Sequence, residues 1–438
     1  MMTTSENSGR AVKAALLPCL LLLPAMLHAI AFALTAPGQP IGMLDIAVVV
    51  LLIAYLGGCV IACRGPSLWA WRFLLVGYAT LGAAGLAEIA ISVVLSTNSD
   101  RVPIPAGSRR RASPEGLPGV SGPVVYSVNN LGLRGPTTIL ADQDIRILCV
   151  GGSTTECLYV ADRMSWPWRV QDDLAVRLSK KVFVGNAGVS GHFSLHHSFL
   201  LRHYDRTSEF QWVVVLCGMN DLGCLLRNNY EGRKALVPSE TFSHESDHAV
   251  TDKAYYRKLR LVRLAKHWYA AHSASDAVVV QDPAARWISE RRQLRQEWLN
   301  RNTINSIPRE CDAALDRYRG DLKDVIAACR ERGVGLVMIT QPTLYAENLA
   351  PELEALVWEY FEGGAYSTAV LARLMEMYND VMRAVCREEG IDLIDLAARL
   401  PRDTTVFYDD CHFNNSGCEK VASIVSEYFA SKLSAKRK

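Results

Sequence analysis

No excess of charge marks this sequence: 47 Lys and Arg stand against 45 Asp and Glu, and the formal balance of +2 gives no electrostatic case for nucleic acid as a partner. Metal-ligand spacing is missing too. Twelve cysteines are present, but they form no CxxC pair and no Cys/His cluster, and their irregular spacing in so long a chain argues against a disulfide framework. Nine of them lie beyond residue 97, an odd number that cannot all pair internally; this speaks mildly against an oxidising compartment, and most are expected to be buried as small apolar side chains. No tandem repeat or long low-complexity tract appears. A length of 438 residues fits two or three units.

What the chain has in plenty is apolar sequence near its N-terminus. Runs from Ala14 to about Ala36, from Met43 to Cys63 and from Phe73 to Ser96 are each long enough to cross ~30 Å of hydrocarbon as a helix. Residues 1–97 are therefore expected to form a membrane domain of three transmembrane helices, with Trp69 and Trp71 beside Arg72 as an interfacial anchor. Arg10, Lys13, Arg64 and Arg72 favour a cytoplasmic N-terminus, which places the rest of the chain on the extracytoplasmic side; Arg101 and Arg109–Arg111 pull the other way. His28 and Glu88 fall at similar depths in parallel spans, where a shared hydrogen bond would lower the cost of burying them. A packing contact and a polar relay are both open readings of that pair.

Residues 98–123 are rich in Pro, Gly, Ser and Arg and read as a linker, with a leading segment to residue 140. Short β-prone runs follow at Val124–Val128, Ile145–Val150, Val182–Val184, Trp212–Leu216, Gly335–Ile339 and Ile391–Leu393. Between them, Trp168–Leu178, Asp312–Arg332 and Ala369–Glu389 repeat apolar residues every three or four positions. Strands alternating with helices predict an α/β domain over residues 141–434, with a mostly parallel sheet covered on both faces. Residues 222–308 break the rhythm and are expected to be a helical insertion. Within it Tyr255, Leu259, Val262 and Tyr269 share a helix face while Lys253, Arg257, Lys258, Arg260, Arg263 and Lys266 crowd the rest. A packed helix with a solvated basic face, a lid and a lipid-facing patch all fit that pattern.

Four segments at strand ends carry complementary chemistry. In Gly151-Gly152-Ser153-Thr154-Thr155 the glycines permit a tight turn that exposes a hydroxyl at the sheet edge. A serine needs a base, and the base needs an orienting partner. Tyr408-Asp409-Asp410-Cys411-His412-Phe413-Asn414 offers both, since one turn brings Asp409 onto the Nδ1–H of His412. Asn186-Ala187-Gly188-Val189-Ser190-Gly191 and Gly218-Met219-Asn220-Asp221 can supply a backbone N–H at Gly191 and a side-chain amide at Asn220. With the Ser153 N–H these make a three-donor oxyanion hole. Each piece alone is common in structural roles: Asn220 as a helix cap, Gly188 in a turn, His412 on a surface. Cys411 is a competing nucleophile on paper, although it needs a different geometry.

The order Ser153, Gly191, Asn220, Asp409/His412 resembles the SGNH hydrolases, the GDSL-like esterase superfamily, over about residues 141–434. The resemblance implies a three-layer α/β/α, flavodoxin-like parallel sheet, acyl hydrolysis or transfer through an acyl-serine, and no metal or organic cofactor. GGS stands where GDS is usual, so Gly152 takes the place of an acidic residue while the nucleophile stays. Tyr126, Asn129, Gly132 and Arg134 resemble a segment that precedes the serine in membrane-tethered bacterial members; Arg134 either binds substrate or fixes that segment. The expected partners are the membrane and an acyl ester, with an O-acetyl group on a cell-surface glycan or lipid as the substrate that tethering suggests. A non-catalytic envelope scaffold and a cytoplasmic-facing thioesterase are the alternatives, and the five intact site residues speak against the scaffold.

Overall fold

The computed structural model describes residues 102–104, 109–112, 114, 116–120, 124–241, 279–280 and 283–435. The expected membrane spans, with His28 and Glu88, and the basic helix at residues 255–269 lie outside them. Among the described residues no helix is long and apolar enough to cross a membrane.

In chain order, β1 (Arg109–Ala112) and β2 (Val124–Ser127) precede β3 (Ile145–Gly151), α1 (Ser153–Glu156), α2 (Trp166–Leu178), β4 (Val182–Gly188), α3 (Ser194–His203) and β5 (Trp212–Leu216). There follow α4 (Met219–Leu226), α5 (Tyr230–Glu240), β6 (Val279–Val280), α6 (Pro283–Arg301), β7 (Thr303–Ile304), α7 (Cys311–Arg332) and β8 (Gly335–Ile339). The chain continues through α8 (Pro351–Glu354), β9 (Ala365–Tyr366), α9 (Thr368–Glu389), β10 (Asp392–Ile394) and α10 (Asn415–Ala435).

Five strands form the main sheet in the order β10-β8-β5-β3-β4, and every neighbouring pair is parallel. Counted among themselves along the chain, their order is 2-1-3-4-5, the doubly wound pattern in which ligands bind beside the first strand, where the winding reverses. Val213, Val214, Val215 and Leu216 are all 0% exposed. Successive strand residues point to opposite faces, so four in a row buried means helices on both sides. α2 packs against α10, while α7 packs against α3 and α9. Burying each such Val or Leu contributes about 1.5–3 kcal/mol before entropy is charged against it. α7 stops at Gly333, whose φ of +67° is the left-handed cap that a side chain would strain, and β8 begins two residues later.

β5 and β8 have the ends expected from the sequence, and β4 runs on to Gly188. Its extension holds the polar Asn186, which is buried yet satisfied because its Nδ2 donates to Thr155 O at 2.7 Å. The presumed linker is a correction. Arg109–Ala112 pair antiparallel with β2, and Leu117 and Val120 are buried against Tyr159, Trp358 and Tyr408. The arginine run hid a strand because its stabilisation comes from the backbone ladder, whatever the side chains prefer. Near the start of the expected insertion, Leu222 of α4 is fully buried in the main core, and α5 and α6 supply further described helices.

Candidate active site

β3 ends at the winding reversal, and Ser153 opens α1 one residue later behind Gly152, whose backbone is extended (φ −85°, ψ −151°). The turn after α1 is held by Arg134. Its guanidinium donates to the carbonyls of Glu156, Cys157 and Val160, its Nε pairs with Asp162 Oδ1 at 2.9 Å, and it lies 4.6 Å over the Tyr126 ring. At 2% exposure Arg134 cannot greet a substrate. Of its two readings the structure therefore favours fixing the segment.

The Asp409–His412 segment is a hairpin turn closed by a Phe407–Phe413 bridge and by the Tyr408 N–H donating to His412 O at 3.0 Å. Asp409 Oδ1 accepts the N–H groups of Cys411 (3.1 Å) and His412 (2.9 Å), an Asx-type turn that aims the carboxylate along its own chain. It thus reaches His412 Nδ1 at 2.9 and 2.8 Å through its two oxygens. A carboxylate only accepts, so Nδ1 carries the proton and Nε2 offers its lone pair. That lone pair meets Ser153 Oγ at 2.7 Å. Asn414 then caps α10, its Oδ1 accepting the Gly417 N–H at 2.8 Å.

Asn220 and Gly191 flank this line from the neighbouring strands. Asn220 Nδ2 donates to His192 O at 2.9 Å, which ties the segment after β5 to the segment after β4. Gly191 has φ +81° and sits third in a turn closed by the His192 N–H to Val189 O, the position of a type II turn that demands a positive φ. Glu156 fastens that turn to the serine helix, its Oε2 accepting both the Ser190 N–H at 2.7 Å and the Ser190 hydroxyl.

Burial opposes a charge on His412, but the facing Asp409 carboxylate, Cys411 and the hydrogen bond to Asp409 hold it well above the ordinary histidine range. Burial pushes Asp409 up, yet His412 and the two turn amides hold its carboxyl below the usual carboxylate range. Burial also pushes the Cys411 thiol up to about 12, so it is no thiolate at neutral pH, and all nine described cysteines are free and buried. The ligand-type atoms of Asp409, Cys411 and His412 lie within 4.8 Å of one another. A metal there would compete for carboxylate oxygens that already accept hydrogen bonds from several donors and for a thiol that burial keeps protonated.

Sequence reasoning did not find Glu156, Trp358 or Arg292. Trp358 Nε1–H donates to Asp409 Oδ2 at 3.1 Å, and Arg292 of α6 donates to Tyr408 O at 2.9 Å. Glu156 stands three residues after Ser153 and was within reach of a closer reading. Trp358 lies in an irregular stretch with no period to draw the eye.

The family model for GDSL-like lipases and acylhydrolases matches residues 149–420, more than half of the chain, and this span includes all five proposed site residues. No curated protein matches the sequence. Among solved structures, an α/β hydrolase, LAE5, from the metagenome of Lake Arreo, Spain, aligns at 13% identity and a TM-score of 0.36, covering 66% of this chain and 96% of that one. Axe2, an acetylxylan esterase from Geobacillus stearothermophilus, aligns at 12% identity and a TM-score of 0.36, covering 66% and 95%. Likeness at that distance says nothing about the substrate of this chain. The family match stands by itself: the chain belongs to the GDSL-like lipase/acylhydrolase family and is a hydrolase acting on ester bonds.

Proposed function

We propose that the chain is a membrane-anchored serine esterase of the SGNH type, with residues 1–97 as its three-span membrane domain and residues 141–434 as its catalytic domain on the extracytoplasmic side. Ser153 Oγ attacks the acyl carbonyl while His412 Nε2 takes its proton, and Asp409 holds the Nδ1–H tautomer and stabilises the imidazolium that forms. The Ser153 and Gly191 N–H groups and the Asn220 amide receive the developing oxyanion, each worth about 2.7–4 kcal/mol of barrier in sites of this kind. His412 then returns its proton to the leaving alcohol. Water, or an acceptor hydroxyl in the transfer variant, releases the acyl group from Ser153.

The observation that carries this reading is the unbroken line from Ser153 Oγ through His412 to the fully buried Asp409, with contacts of 2.7 and 2.8 Å. The substrate we favour is an O-acetyl ester on a cell-surface glycan or lipid, a choice supported by the three apolar runs that would hold the enzyme at the membrane. Labelling of detergent-solubilised protein with a serine-reactive fluorophosphonate tests the chemistry. Labelling is expected in the wild type and not in folded Ser153→Ala or His412→Ala; equal labelling of Ser153→Ala would name another nucleophile. Release of acetate from acetylated glycans tests the substrate, which is abandoned if other esters are cleaved and acetate is not released.

A further inference from the structure

Two oxygens of Asp409 have different neighbours. Oδ1 accepts both turn amides as well as the imidazole, whereas Oδ2 is met by His412 Nδ1 at 2.8 Å and by the indole N–H of Trp358 at 3.1 Å. Asp409 is 0% exposed, so no solvent replaces a donor that is removed.

Trp358 is itself held in place. It is 9% exposed, its ring lies 5.2 Å from that of Trp287, and the Arg291 guanidinium sits 4.6 Å over it. Arg292, the next residue on α6, donates from Nε to Leu356 O at 3.1 Å and from Nη2 to Tyr408 O at 2.9 Å. One guanidinium therefore grips the chain two residues before Trp358 and one residue before Asp409, and sets donor and acceptor in register. On the far side of Trp358, Arg227 holds the Glu359 carboxylate at 2.6 and 2.8 Å and Arg295 holds the Glu359 carbonyl at 2.6 Å.

We propose that Trp358, kept in register by Arg292 of α6, is a positioning residue that orients the Asp409 carboxylate and limits how tightly Asp409 holds the proton on His412. This inference rests on the serine esterase reading above. A carboxylate that accepts an additional hydrogen bond presents less negative charge to the imidazole facing it. Without the indole N–H, Asp409 favours the imidazolium more strongly, and His412 keeps its proton to a higher pH. A protonated His412 cannot accept the Ser153 proton, so the acid limb of the activity profile moves upward. The other groups facing the pair are Cys411, Asp410 and Tyr408 in the same turn, Cys157 after α1 and Arg292 from α6, with Glu359 beyond Asp410. All of them remain in Trp358→Phe, which keeps a ring and removes the donor.

The test is the pH dependence of kcat and KM for p-nitrophenyl acetate, measured on the full-length solubilised wild type, Trp358→Phe, Arg292→Gln and Ser153→Ala. For Trp358→Phe we expect kcat to fall about tenfold at neutral pH, the scale of one hydrogen bond to a charged group, with KM within about twofold and the acid limb raised by about one pH unit. The far-downfield proton resonance of His412 Nδ1–H should move with it. Arg292→Gln, in which the indole survives but loses its register, is expected to lower kcat with the limb displaced the same way, and it decides the matter should Trp358→Phe fail to fold. A Trp358→Phe enzyme with the wild-type limb and resonance, whether or not its kcat falls, overturns the proposal while Ser153→Ala is inactive. An active Ser153→Ala would instead overturn the reading beneath it.

Discussion

Asn220 stands where a side chain on residue 152 would have to go: its Nδ2 lies 2.5 Å from the place a Cβ on Gly152 would occupy, and His192 O lies 3.1 Å from the same point. The glycine in GGS is thereby tied to a neighbour. Its φ of −85° is open to any residue, so what forbids a side chain is contact, with no backbone strain involved.

Gly152→Ala is accordingly expected to fold and to push the Asn220 amide off its bond to His192 O. In known oxyanion holes the loss of one donor costs about 10²–10³ in kcat, and a fall on the order of 10² is expected here with KM little changed. Steady-state kinetics beside a thermal melt check it. A fully active Gly152→Ala would mean that the Asn220 amide does not act at the reacting carbonyl.

Arg134 gives a prediction about stability. Its removal leaves the carbonyls of Glu156, Cys157 and Val160 and the Asp162 carboxylate without their shared donor, and the Asp162 side chain is only 12% exposed. Breaking one side of such a buried pair costs about 3–5 kcal/mol, and Arg134→Ala should lose stability on that scale in chemical denaturation. Arg134→Lys should recover little, since one ammonium cannot reach acceptors that a planar fork serves together. Near-wild-type stability in Arg134→Ala would return this residue to the substrate-binding role.

The sequence disclosed what local pattern controls. The apolar runs of β5 and β8 are bounded by polar or turn residues, and their ends agree with the structure to the residue. Ser153, His412 and Asp409 were legible because their chemistry needs one another and each follows a strand. Arg109–Ala112 was not, since a strand held at its backbone leaves no mark in a run of arginines. Trp358 and Arg292 were not legible either: they reach Asp409 and Tyr408 across 51 and 116 residues of chain, and nothing in a linear pattern records a contact of that kind.

Behind Asn220 lies a pair of buried acids whose pH dependence can be read from stability. Asp221 Oδ1 accepts the Ser194 N–H at 3.1 Å and the Ser194 hydroxyl, while Asp321 accepts the Tyr230 hydroxyl at 3.0 and 2.9 Å. Burial, and for Asp321 also the charge of Asp221, pushes Asp221 up to about 6 and Asp321 up to about 7. A carboxyl whose folded value is raised binds its proton more readily when folded. The stability it contributes is whole below the unfolded value near 3.9 and is lost as pH rises through 6 to 7. Asp321→Asn never ionises and keeps one carbonyl oxygen for Tyr230. It should match the wild type near pH 4 and exceed it at pH 8, by at most about 4 kcal/mol for a shift of about three units. Thermal melts of both proteins at the two pH values decide it. A variant weaker by the same margin at both would show that Asp321 serves as a charged partner, whereas a gain confined to pH 8 would show that the wild type bears an electrostatic cost at the place where Ser194 and Asp221 join the two segments framing Gly191 and Asn220.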